Sequence, residues 1–192
     1  MKKIEKTDTD YWITALRKLY DNPVESTGSQ LCWLSETAVV CLPDGFTLLS
    51  QEEKEKKFPT VNRPPIVYGN EDRSVVFTFR QLGNRSGGIE EQLVEAVEIL
   101  RRADRRTVFY DTGEAMREEV KVVWREYKSF AMDGVVYNQV IFLMYRGKRW
   151  LLTFHCPFRA DERWKRRIPE IVTSLSEEEN EDERIYGQSE TF

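Results

Sequence analysis

The chain has 192 residues, 40% of them hydrophobic and 32% charged, with a formal net charge of −4. That length suits one domain with a short appendage, large enough to bury roughly 70% of its extended-chain surface without a metal or a disulfide. An isoelectric point near 5.3 argues against a nucleic-acid partner, which needs a basic footprint. No apolar run approaches the ~18 residues of a membrane helix, and Met1-Lys2-Lys3 leads into Ile4-Glu5-Lys6-Thr7-Asp8-Thr9-Asp10, not into an apolar export region. The expectation is a cytoplasmic protein with no membrane insertion. The cysteines are Cys32, Cys41 and Cys156 and the only histidine is His155, which makes neither a disulfide framework nor a zinc set. No cofactor motif is present.

In chain order, Tyr11, Trp12, Leu16, Leu19 and Tyr20 form an apolar stripe that predicts a helix over 9–21, stopped by Asn22-Pro23. Leu31–Leu34 and Ala38–Leu42 read as short strands. If Glu36-Thr37 is a two-residue turn, Cys32 and Cys41 stand opposite each other. Phe46–Leu49 continues as a short strand, and Ser50-Gln51-Glu52-Glu53 has the spacing of a capping box that starts a short charged helix. Ile66–Gly69 and Ser74–Arg80 are predicted strands. Gly88–Asp104 is the clearest helix, with Ile89, Leu93, Val97 and Leu100 on one stripe, glutamates in the first turn and arginines in the last. Thr107–Tyr110 reads as a strand followed by an acidic turn.

Three long strands follow, Val120–Phe130, Val135–Tyr145 and Arg149–Cys156. Asp133-Gly134 suggests a type I′ turn between the first two, and Gly147-Lys148 a type II′ turn between the last two. Asp161 is expected to cap a last helix with the stripe Trp164, Ile168, Ile171 and Leu175, broken or kinked at Pro169. From Glu177 the acidic run Glu-Glu-Glu-Asn-Glu-Asp-Glu predicts a largely disordered tail. The organisation expected is a helix and loop over 1–29, a folded domain over 30–176 and an acidic tail over 177–192.

The two tight turns set a register and hence two faces. Trp124, Leu143 and Leu152, with Val122, Tyr145 and Trp150, share an almost wholly apolar face whose exception is Glu126. The helices 88–104 and 161–175 are expected to cover it. The other face is mixed: Arg125, Tyr127, Asn138, Thr153 and His155 surround a strip of valine, phenylalanine and methionine. Polar residues on a half-solvated sheet face are ordinary. If the face binds anything, those five residues are the candidates, and the N-terminal helix is the element that would partly cover it.

Catalytic constellations are absent from the reading. His155 and Cys156 are adjacent on a strand and point to opposite faces. Ser86-Gly87-Gly88 before a helix lacks the lysine and the full pattern of a phosphate loop. Arg101, Arg102, Arg105 and Arg106, and again Arg163, Lys165, Arg166 and Arg167, read as solvated helix faces, or as contacts for an acidic partner or the chain's own acidic tail.

The element order, together with Asp133-Gly134-Val135-Val136-Tyr137, Trp150-Leu151-Leu152-Thr153-Phe154, and Trp164 with Ile168, Ile171, Ser174 and Leu175, resembles the Mog1/PsbP-like fold, including the DcrB and DUF1795 proteins. The resemblance covers about residues 30–176. It implies an α+β fold with a central antiparallel sheet sandwiched by helices, here with an extra N-terminal helix. It also implies a binding role, as in the Ran-binding, photosystem and effector-chaperone members. No functional residue of the family transfers. The leading expectation is a non-enzymatic module that binds a protein partner; the alternative is a small-molecule binder or minor enzyme on the mixed face. A homodimer is compatible with the open edges of such a sheet.

Overall fold

The computed structural model describes residues 11–16, 28–83, 86–117, 120–131 and 134–177. The remainder of the helix expected over 9–21 and of the acidic tail lies outside the described residues. Helix α1 occupies 11–16. Strands β1 (Ser29–Trp33), β2 (Ala38–Pro43) and β3 (Thr47–Leu48) precede α2 (Gln51–Lys57), then come β4 (Ile66–Gly69), β5 (Val76–Leu82), α3 (Ile89–Ala103) and β6 (Val108–Arg117). The long strands β7 (Val120–Ala131), β8 (Gly134–Tyr145) and β9 (Lys148–Pro157) lead to α4 (Asp161–Lys165), α5 (Ile168–Thr173) and β10 (Ser176–Glu177).

The strands form two antiparallel sheets, a central one of order β3-β4-β5-β9-β8-β7-β6 and a small one of order β1-β2-β10. Local signals act as the sequence suggests. Ser50 closes a capping box with Glu53 at the start of α2, and the charges of α3 complement its dipole. Pro169 falls in the first turn of α5, where a missing N–H costs nothing, and so separates α4 from α5. Asp161 is the first residue of α4 and not its cap; that position belongs to Ala160, the last residue of a short 3-10 turn.

The hairpin register differs from the sequence reading by two residues. Ala131 pairs with Gly134 and Tyr145 with Lys148, so two residues separate the paired ends of β7 and β8, and the β8–β9 loop is 146–147. Arg146 and Gly147 both have positive φ, 47° and 75°, which places a type I′ turn there and leaves Lys148 in the strand. A two-residue slip keeps every side chain on its face, but it changes the rows: Trp124 now meets Ile141 and Leu152, and Tyr127 meets Asn138 and His155. The acidic turn expected after Tyr110 is instead strand. β6 runs on to Arg117, with an irregularity between Phe109 and Thr112 that absorbs the misfit.

The β1–β2 loop spans three residues, since the Leu34 N–H bonds the Ala38 carbonyl at 2.7 Å. Cys41 therefore pairs with Leu31 and Cys32 with Val40. This one-residue shift sends the two free thiols to opposite faces, Cys32 into the core.

The layers also differ from expectation. Helix α3 lies on the mixed face, where Ile89 and Leu93 pack with Val123, Tyr127, Val140 and Phe142. The apolar face is covered by α1, α4, α5 and the small sheet, which join one core with Trp124, Ile141, Trp150, Leu152 and Phe154. Trp12 stacks on Trp124 at 4.8 Å, so the N-terminal helix serves the apolar face and not the mixed one. Trp164 meets Phe154 at 5.4 Å and Phe46 at 5.8 Å. Each such buried side chain contributes about 1.5–3 kcal/mol by leaving water. Glu126, wholly buried in this face, is met by Lys165 at 3.3 Å and by the Gln139 amide at 3.3 Å.

Candidate functional site

Helix α3 is shorter than the strands beneath it, so the mixed face is roofed at one end and open at the other. Where α3 stops, a cleft of about 340 Å³ opens. Its floor is the last row of the mixed face, Tyr127, Asn138 and His155, with Ser129 beyond. Its walls are the end of α3 at Leu100 and Ala103, Val136 of β8, and Lys57 and Phe58 at the end of α2. Three of the five candidate residues therefore line one cleft, brought together by the two-residue register change.

The other two lie beside it. Arg125 pairs with Val140 and Thr112 and holds its guanidinium 5.7 Å from the Phe109 ring, which Arg101 approaches at 5.4 Å. Arg101, and not Arg125, is the residue of α3 that reaches the Phe109 ring of β6. Thr153 lies one row back, reaching His155 through its hydroxyl.

The polar groups of the floor form a directed chain. Asn138 Nδ2 donates to Ser129 Oγ at 2.9 Å and to the Val136 carbonyl at 3.0 Å, which leaves Oδ1 as the acceptor. His155 Nδ1 carries the ring proton and donates to that oxygen at 2.5 Å. His155 Nε2 accepts from Thr153 Oγ1 at 3.0 Å, and Thr153 accepts from Thr78 at 2.7 Å. Both ring nitrogens are committed within the protein.

Electrostatics agree with that assignment. Burial, helped by the nearby Lys57 charge, lowers the His155 pKa to about 4, so the ring is neutral near pH 7 and does not exchange protons there. Burial pushes the Tyr127 phenol well above its ordinary value. The thiols of Cys32 and Cys156 are likewise raised by burial, to about 11 and about 12, the opposite of an activated nucleophile. Among the described residues no cluster of three or more His, Cys, Asp or Glu is placed to hold a metal ion, and no helix is long and apolar enough to cross a membrane.

Lys57, Phe58 and the end of α3 were not among the sequence candidates. Phe58 carried a signal, an aromatic residue directly after a wholly charged helix. Its ring lies 6.3 Å from that of His155.

No family model matches the chain, and no curated protein matches it in sequence. Solved structures do match in shape. Cyanobacterial PsbP (CyanoP) from Synechocystis sp. PCC 6803 aligns over 82% of this chain and 96% of its own, with a TM-score of 0.59 and 11% identity. The Saccharomyces cerevisiae Ran-binding protein Mog1p aligns over 78% of this chain and 87% of its own, with a TM-score of 0.43 and 12% identity. Antiparallel central sheet, flanking helices and element order agree with what the sequence resembled: the chain has the Mog1/PsbP-like fold.

Proposed function

We propose that this chain is a non-enzymatic, cytoplasmic protein-binding module whose cleft receives an apolar side chain of its partner. One observation carries the reading: the His155 ring and the Asn138 amide on the cleft floor are engaged internally, by the Thr78–Thr153–His155–Asn138–Ser129 chain. What the cleft offers is shape and the apolar walls Phe58, Leu100, Ala103 and Val136, with Lys57, Asp104 and Thr107 also in the lining. Anchor pockets at protein interfaces have this character.

The test is a plug. Ala103 is exposed and lines the cleft, so Ala103→Trp fills it without disturbing the core. A partner captured by the wild type and by the remote control Val61→Ala, but lost by a folded Ala103→Trp protein, supports the reading. Retention of every partner by the plugged protein overturns it.

A second reading rests on size. About 340 Å³ falls at the lower end of small-molecule pockets, roughly 300–1,000 Å³, and its lining carries charges of both signs, Lys57 and Asp104. A compound that raises the melting temperature of the wild type but not of Ala103→Trp would favour it.

A further inference from the structure

On the cleft floor His155 and Asn138 are committed to each other and to their neighbours, and the Tyr127 hydroxyl is not. Among the described residues it has no hydrogen-bond partner, and burial alone raises its pKa, which keeps the phenol protonated. The ring is firmly held. It is 6% exposed, lies 5.8 Å from the Phe109 ring and joins the cluster under α3. Its oxygen is nevertheless not sealed in, unlike the Gln92 amide and the Trp124 and Trp150 indole nitrogens, which are buried without partners. Tyr127 lines the cleft, so the cleft is where its oxygen reaches open space. Buried polar groups in native folds are overwhelmingly hydrogen-bonded, and an idle one that faces a cleft points to an occupant that completes it.

A second hydroxyl adds to it. Ser129, two residues along the same face, also lines the cleft. Its Oγ accepts from Asn138 Nδ2 and has its own proton left to give. The charged members of the lining are occupied. Lys57 Nζ donates to the Arg73 carbonyl at 2.8 Å, and Arg106 holds the Asp104 carboxylate at 2.9 and 3.0 Å. An occupant therefore meets apolar walls, two hydroxyl donors and no idle charge. That combination fits an apolar body ending in a neutral oxygen. Serine and threonine lack the body, phenylalanine and leucine lack the oxygen, and tryptophan brings a donor without an acceptor. Tyrosine has both parts and is a common anchor at protein interfaces.

Building on the reading of the cleft as an anchor pocket, we infer that its occupant is a tyrosine side chain of the partner, and that Tyr127 is the residue that selects it over phenylalanine. The hydroxyl of the bound tyrosine accepts from Tyr127, while its ring takes the apolar walls.

The probe is N-acetyl-tyrosinamide, with N-acetyl-phenylalaninamide as control, each titrated into the full chain and followed by NMR. The wild type is expected to bind the tyrosine probe about tenfold more tightly, the upper range for one neutral hydrogen bond. Tyr127→Phe should bind both probes alike, at the affinity of the control, and should unfold at no lower urea than the wild type, because the hydroxyl it lacks holds nothing inside the protein. Ala103→Trp should lose both probes. Equal binding of the two probes by the wild type, or a preference that Tyr127→Phe retains, overturns the inference and leaves the pocket standing. A Tyr127→Phe protein clearly less stable than the wild type also overturns it, since the hydroxyl then has a structural role. Binding that Ala103→Trp does not reduce, or no binding of either probe, overturns the inference and the pocket reading together.

Discussion

His155 shows how a residue with reactive chemistry becomes structural. Its ring bridges Thr153 and Asn138 in the neutral form, and its pKa falls from the ordinary 6.5 to about 4. The unfolded chain therefore binds a proton at higher pH than the folded one. Stability from this group is complete above pH 6.5 and is lost as pH falls from 6.5 toward 4, by at most about 3 kcal/mol. Urea unfolding at neutral pH and near pH 4.5 should show a steeper acid loss in the wild type than in His155→Gln; parallel slopes would contradict the assignment. Gly113 makes a second case. A Cβ there would stand 2.3 Å from the Trp124 ring, which is itself held by Trp12. Gly113→Ala should cost about 2 kcal/mol in chemical denaturation, an overpacking penalty, and a neutral result would show that the stack yields. The sequence named His155, Asn138 and Tyr127 as neighbours on one face, because alternation along strands is rigid. It did not reveal that the histidine's nitrogens are already engaged, since that depends on which rows align.

Those rows are fixed by turns, and turns explain most of what differed at the scale of elements. Period-two and period-3.6 patterns located the long strands, α3 and the capping box of α2, where propensity and burial agree. The β8–β9 turn was misplaced because an arginine occupies a left-handed position usually given to Asn, Asp or Gly. The β1–β2 loop was one residue longer than read, enough to separate Cys32 from Cys41. Another element-scale feature is the pin between α4 and the sheet: Lys165 reaches the wholly buried Glu126 at 3.3 Å. Removing the cation alone with Lys165→Met should cost about 3 kcal/mol, and adding Glu126→Gln should recover most of it, because a buried charge is far costlier without its counterion than a neutral pair is. Equilibrium unfolding of the single and double variants decides the point, and equal stability of the two would refute the pin.

For the whole molecule, the fold class was readable and the assignment of helices to faces was not. Both sheet faces carry an apolar strip, so the stripe of α3 matched either one. The choice went to the mixed face, where α3 packs against Val123, Tyr127, Val140 and Phe142, and its short reach left the cleft. The sheet order has a further outcome during synthesis. Strand β5 is hydrogen-bonded to β9 between residues 67 to 79 positions apart (82 to 149, 76 to 155), and β2 likewise waits for β10. At translation rates of about 5–20 residues per second, β5 lacks its neighbour for roughly 3 to 15 s after it is made. During that interval Phe77 and Phe79, both wholly buried in the finished protein, face the ribosomal surroundings beside an open strand edge. A nascent chain stalled before Lys148 is thus sticky by construction, and it belongs to the class of products that holding chaperones retain until the last long strand emerges.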